Sequence, residues 1–228
     1  MEYNGAYKGS EKFSPDNRFA FFNSGAIGWM ISEEPFMRWF REKNIIDMLK
    51  IRASYGEIGD DNVGGRFLYM TQWSYGGNST LDVTQSGSPY QWYRESTVGN
   101  PNVHWETVKK TNIGIDYGLL GGLLAGTIEF FHDKRTDILV KGEERAVPAY
   151  FGQVPPTANL GEVHTNGYEI EVRFNKVFAN KMRLWANLSM THAENNIKVK
   201  DDPALSPSYR KEAGYSIDQV RTFLDKGI

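Results

Sequence analysis

Four stretches of this chain alternate apolar with polar residues, and they come in two pairs. In the first pair Thr111, Ile113, Ile115, Tyr117 and Leu119 share one parity, and Lys110, Asn112, Gly114, Asp116 and Gly118 the other. Beyond Gly121-Gly122, Leu124, Gly126, Ile128 and Phe130 oppose Ala125, Thr127 and Glu129. In the second pair Tyr168, Ile170, Val172 and Phe174 oppose Gly167, Glu169, Glu171 and Arg173. Met182, Leu184, Ala186, Leu188 and Met190 then oppose Arg183, Asn187, Ser189 and Thr191. A period of two marks a β-strand with one apolar and one polar face. Each pair reads as a hairpin, and its apolar face must touch either a protein core or lipid.

Composition narrows the choice. The 228 residues are 40% hydrophobic and 14% aromatic, enough apolar material for one or two domains. Mean hydropathy is −0.51, and no run approaches the ~20 apolar residues of a membrane helix. A helical span is excluded; a membrane β-barrel is not, because alternation dilutes its hydropathy. With 26 basic and 28 acidic residues the net charge is −2, which gives no electrostatic case for nucleic acid. The absence of cysteine excludes disulfides, Cys-ligated zinc and thiol catalysis. Met1 is followed by Glu2-Tyr3-Asn4-Gly5 rather than a basic stretch and an apolar core, so no signal peptide is read. An exported protein would carry this chain as an internal piece.

Residues 19–31 read as a further strand, with Phe19, Phe21, Ile27, Trp29 and Ile31 sharing a parity. Ser32-Glu33-Glu34-Pro35 ends it, and residues 36–48 suit a short helix behind those acids and that proline. Leu49, Ile51, Ala53 and Tyr55 alternate with Lys50, Arg52 and Ser54 in another strand, stopped at Gly56 and Gly59. Residues 60–101 are poorly periodic and read as a long irregular connection with short strands near 67–73 and 81–84. A connection of that length is unusual in a compact domain and usually functional. Residues 141–160, with Pro148, Pro155 and Pro156, form a second long connection. The pattern fades after Lys200, with a short helix or strand expected at 217–228.

Short and long connections therefore alternate. An up-and-down meander with short turns at one end and long loops at the other has this signature, and membrane β-barrels are built so. Alternating spans of about ten residues match the ~9–11 of a membrane strand better than the ~5–6 of a typical soluble one. Polar faces carrying both charge signs suit a water-filled lumen; the solvated face of a soluble sheet would look the same.

No catalytic constellation is present, and neither an enzyme nor a cofactor is expected. His104, His132, His164 and His192 do not pair at ligand spacing and read as surface residues. Asp60-Asp61-Asn62 and Asp201-Asp202 lack the glycine and distal glutamate of a calcium loop. The long connection holds the aromatics Trp73, Tyr75, Tyr90, Trp92 and Tyr93, and of these Trp73, Tyr75, Trp92 and Tyr93 are the best ligand candidates, since such rings stack on sugars and flat apolar surfaces. Contact with a partner is the competing use for Trp73, Tyr75, Trp92 and Tyr93. Trp29, Trp105, Tyr117 and Phe174 fall near strand ends and read as girdle residues of a lipid interface.

Several phrases carry a more specific resemblance. They include Asn17-Arg18-Phe19-Ala20-Phe21-Phe22-Asn23-Ser24, Gly28-Trp29 and Ile31-Ser32-Glu33-Glu34-Pro35-Phe36. Leu49-Lys50-Ile51-Arg52-Ala53-Ser54-Tyr55-Gly56 follows, running into Ile58-Gly59-Asp60. Then come Asn100-Pro101-Asn102-Val103-His104-Trp105-Glu106, Thr111-Asn112-Ile113-Gly114-Ile115-Asp116-Tyr117-Gly118, Asn159-Leu160-Gly161-Glu162 and Asn166-Gly167-Tyr168-Glu169. In this order they resemble the barrel of SusC/RagA-type TonB-dependent outer-membrane transporters. Asn23, Met30 and Asp60 depart from the family's usual residues.

The resemblance implies an all-β antiparallel meander, with residues 1–228 an incomplete part of a transmembrane barrel of about 22 strands. It implies import of oligosaccharides or peptides across the outer membrane of a Gram-negative cell, without catalysis. The partners it implies are the TonB complex, engaged through a plug and an N-terminal segment not seen here, a SusD-like surface lipoprotein and outer-membrane lipid. Under this reading Ile113, Ile115, Phe130, Ile170 and Leu188 face lipid. Lys110, Asp116, Glu129, Glu169, Glu171 and Arg173 face the lumen. The alternatives are a soluble carbohydrate-binding β-sandwich and a plain porin.

Overall fold

The computed structural model describes residues 1–62, 64–78, 91–220 and 222. Seven strands form one antiparallel sheet: β1 (Glu2–Gly9), β2 (Phe19–Met30), β3 (Ile46–Asp60), β6 (Glu106–Leu119), β7 (Leu124–Val140), β8 (Ala158–Val177) and β9 (Arg183–Val199). Between β3 and β6, β4 (Gln72–Asn78) and β5 (Gln91–Thr97) pair with each other in a separate two-stranded sheet. Every neighbour in the large sheet is next in the chain once that hairpin is set aside, which is the expected meander.

The pairing register keeps the two faces pure. Ile51, Ile115, Ile128, Ile170 and Met190 stand in one row across five strands. The adjacent row is Lys50, Asp116, Thr127, Glu171 and Ser189. A slip of one residue between any two strands would mix these rows. The irregularities from β3 to β9 sit outside the alternating segments, between Ile46 and Met48, between Arg135 and Leu139, and at Glu162/Val163.

The strands are longer than their alternation predicts. β3 runs through Gly56 and Gly59 instead of stopping there, and β8 has 20 residues. Toward the long-loop end the pattern inverts. The row that continues the apolar face becomes Glu57, Lys109, Lys134 and His164, while the other face becomes Ile58, Val108, Arg135, Val163 and Ile197. Ion pairs lie on the now polar face, Lys109–Glu57 at 3.6 Å and Lys134–Glu162 at 2.9 Å.

Other expectations change as well. Residues 67–70 form a turn, and the strand begins at Gln72; β1 and β5 carry too little alternation to be seen in advance. Residues 217–220 form neither helix nor strand. The strand expected at 81–84, and Tyr90, lie outside the described residues. The helix expected over 36–48 is confined to α1 (Arg38–Glu42), preceded by two 3-10 turns. This β2–β3 connection sits with the tight turns, since the Leu120 N–H donates to Ile45 O at 3.2 Å.

The sheet is one layer thick. A globular chain of this mass exposes about 10,500 Å², whereas this one exposes 16304 Å². A β-sandwich buries the apolar faces of two sheets against each other; here Ile113, Phe130 and Leu188 are 50%, 56% and 70% exposed. Among the described residues the main buried cluster is Phe13, Phe22, Val103, Trp105 and Leu139, at the long-loop end. Trp105 is therefore not a girdle residue. Its ring packs on Phe13 and Phe22, and its indole N–H donates to Arg18 O at 3.1 Å. Gly59 makes this possible: a Cβ there would lie 1.9 Å from the Phe22 ring.

Trp105→Ala in the full-length protein should cost about 3–5 kcal/mol locally. Limited proteolysis should cut residues 10–18 and 61–71 sooner, with amide exchange in β6 and β7 unchanged. Unchanged cleavage would show that this cluster does not hold the loops.

Candidate functional site

The candidate site is the polar face of the sheet together with the loop end above it. Lys110, Asp116, Glu129, Glu169, Glu171 and Arg173 share that face, and Ile113, Ile115, Phe130, Ile170 and Leu188 share the opposite one. Arg52 is the centre of the polar face. Its guanidinium reaches across β6 to the Glu129 carboxylate on β7, and its Nε lies 3.3 Å from Asp116. Gly114 permits the crossing, because a Cβ there would stand 2.9 Å from the guanidinium carbon. Asn112 Nδ2 donates to Glu129 at 3.0 Å, and the Thr127 hydroxyl donates to Asp116 at 3.0 Å. Lys110 pairs with Asp133 at 3.4 Å, and Arg173 with Glu171 at 3.2 Å. Glu169 stands directly opposite Glu129 in the register. Glu169 apart, the charges named here are paired, and the face suits water rather than lipid.

At the loop end residues 100–106 act as a clamp. The Asn100 N–H donates to Leu68 O at 2.9 Å, and its side chain donates to Thr157 O at 2.9 Å. Asn17 Nδ2 donates to the Pro101 and Val103 carbonyls. The Asn159 side chain accepts from the His104 N–H and donates to the His104 and Asp137 carbonyls. The buried Glu106 carboxylate accepts from Arg135 and from the Leu139 N–H at 2.8 Å. One short phrase ties three loops and two strands together. Beside it a groove of about 750 Å³ opens on the inverted face, lined by Ile58, Val108, Arg135, Val163, Ile197 and Lys200. Sequence reasoning missed Arg52, Arg135 and this groove. Parity puts Arg52 on the polar face, but only the register shows which carboxylates the two arginines meet.

The four aromatics of the long connection fall on the β4–β5 hairpin and are exposed. Tyr75 pairs with Tyr93, their rings 5.8 Å apart, and Trp73 shares that face. Trp92 lies over Gly76, across the hairpin from them. Among the histidines, the His132 and His164 rings are 5.5 Å apart, His164 bonds Glu162 at 2.8 Å, and His192 packs on Tyr168. Among the described residues no three His, Cys, Asp or Glu side chains gather as metal ligands.

The profile of the family described as TonB dependent receptor-like, beta-barrel, matches residues 3–221. The chain belongs to that family. It is 29% identical over 213 residues to the TonB-dependent receptor SusC of Bacteroides thetaiotaomicron, covering 93% of this chain and 20% of that protein. It is also 29% identical over 192 residues to the TonB-dependent receptor P3 of Formosa agariphila, covering 84% and 18%. The chain spans about a fifth of the length of the curated relatives it matches. The fold superposes on the RagAB peptide importer in its closed-closed state with a TM-score of 0.74 at 20% identity, covering 93% of this chain and 22% of that one. The sheet is thus an antiparallel portion of a TonB-dependent receptor barrel, a class found in the outer membrane of Gram-negative bacteria, and its relatives are receptors rather than enzymes.

A double-mutant cycle of Arg52→Ala and Glu129→Ala, read by denaturant unfolding of the full-length receptor in detergent, should give a coupling on the order of 1 kcal/mol, because both side chains keep partial contact with water. Zero coupling would mean that the crossing pair contributes no stability.

Proposed function

We propose that residues 1–228 are a stretch of wall in a TonB-dependent outer-membrane importer for oligosaccharides or peptides. Family membership supports this, and the single observation that carries it is the two-faced, one-layer sheet. A sheet with a continuous apolar face and a continuous charged face divides lipid from a watery lumen. On this reading Ile113, Ile115, Phe130, Ile170 and Leu188 face lipid. Lys110, Asp116, Glu129, Glu169, Glu171 and Arg173 line the lumen.

The open edges of β1 and β9 need further strands, because unpaired backbone is not tolerated in hydrocarbon. A closed barrel of about 22 strands satisfies them. The receptor then works with the TonB complex as its energy source and a SusD-like surface lipoprotein as its lid. The part described here acts without catalysis.

The long loops face outside the cell, as the long loops of such barrels do. They present the hairpin face of Trp73, Tyr75 and Tyr93, with Trp92 behind it, to the lid or the substrate. Exposed rings on a hairpin suit either contact.

Cells deleted for the full-length receptor should lose uptake of fluorescent oligosaccharides or oligopeptides of one class. Wild-type complementation should restore it only when TonB is present. Uptake restored without TonB would contradict energised import. The triple variant Trp73→Ala, Tyr75→Ala, Tyr93→Ala should still assemble in the membrane but retain less lipoprotein on co-purification. Full retention with weakened substrate binding would move the hairpin's role to the substrate.

A further inference from the structure

The β2–β3 connection is long for the end of the sheet at which it sits. Residues 120–123 and 178–182 make the neighbouring turns, whereas residues 31–45 fold into two 3-10 turns and α1. Local chemistry accounts for the shape. Pro35 occupies the first position of its turn, where a missing N–H costs nothing. Asn44, at φ 50°, ends the helix in the left-handed region, and the Asn44 and Ile45 N–H groups close it onto the Arg41 and Phe40 carbonyls. A five-residue helix has no stability of its own. Yet the connection leaves its bulkiest side chains on the outside: Phe36 is 64% and Trp39 57% exposed, and Phe40 packs edge-on against Trp39.

The connection is tied to the apolar face of the sheet through Trp29. Trp29, which stands in the row with Ile51 and Ile115, donates its indole N–H to Glu34 at 2.8 Å. The connection therefore leaves the sheet on that side. Its acids are largely committed: Glu34 to Trp29, and Glu33 to Arg41 at 2.6 Å. The three acids and three bases of the segment balance, but among the described residues Arg38 and Lys43 keep no such side-chain partner and are exposed, which leaves two cations available to phosphate. Aromatic rings beside free cations, next to a lipid-facing wall, have the composition of a segment lying in a headgroup layer.

We infer that residues 31–45 form an interfacial anchor in the periplasmic leaflet, with Trp29, Phe36 and Trp39 at the acyl boundary and Arg38 and Lys43 on phospholipid phosphates. This rests on the barrel reading, in which short turns are periplasmic. The test uses the full-length receptor in nanodiscs of phosphatidylethanolamine and phosphatidylglycerol, with single spin labels in a cysteine-free background. Labels go at Trp39→Cys, at Ile113→Cys on the wall, and at Tyr150→Cys on an exposed loop. Power saturation should give Trp39→Cys an oxygen accessibility near that of Ile113→Cys and severalfold above Tyr150→Cys. A water-exposed Trp39→Cys beside a lipid-exposed Ile113→Cys would overturn the anchor and leave the barrel standing. A water-exposed Ile113→Cys would overturn the barrel itself. Native mass spectrometry gives the second readout: Arg38→Gln with Lys43→Gln should retain severalfold less phosphatidylglycerol, and unchanged retention would remove the phosphate contact.

Discussion

Everything in this sheet depends on strands paired without a slip through their alternating segments. Side chains repeat every two residues, so a one-residue error in any pair would carry isoleucines into the charged face and carboxylates into the apolar one. The register from β3 to β9 avoids this by placing its bulges near strand ends, away from the alternating rows. Two consequences follow directly. The apolar row from Ile51 to Met190 is continuous, and Arg52 can cross Gly114 to meet Glu129 two strands away. Shift β6 by one residue and Ile113 or Ile115 would occupy the place of Gly114, closing the crossing and exposing charge to the wrong solvent.

Burial against protein is concentrated at one end of the sheet. At the loop end Phe13, Phe22, Val103, Trp105 and Leu139 exclude water in the ordinary way, and the clamp at residues 100–106 satisfies the backbone polar groups that three converging loops would otherwise leave open. Along the sheet no second layer of the described residues covers the apolar face, and in the proposed barrel lipid takes it out of water. In the proposed barrel the inversion between these regions marks where one solvent gives way to the other. Glu57, Lys109, Lys134 and His164 take over the apolar face above the isoleucine rows, while valine and isoleucine line the opposite face beside the groove.

Much of the wall was legible in the sequence because period-two alternation is a local signal. The hairpins at Lys110–Phe130 and Tyr168–Met190, the residues that share each face and the short turns within those hairpins could all be read from residue order. The loop end could not. Trp105 reads as a girdle residue from its place beside a strand, but its burial depends on Phe13 and Phe22, which lie far off in the chain. Gly59 reads as a strand stop until the Phe22 ring against it is seen. β1 carries glycine and polar residues, and β5 mostly polar ones, in place of alternation, and only their partners make them strands. Arg52 shows the same limit: its face follows from parity, its carboxylates only from register.

The claim that the apolar face meets lipid and the charged face meets water is tested most directly on β6. A cysteine scan from Thr107 to Leu119 in the full-length receptor, in native outer membrane, would read each position with a membrane-impermeant thiol reagent. Labelling is expected at 110, 112, 114, 116 and 118 once the lumen is open to reagent, and protection at 113, 115, 117 and 119. Labelling at 113, 115, 117 and 119 instead, or no alternation along the strand, would show that the apolar face does not meet lipid.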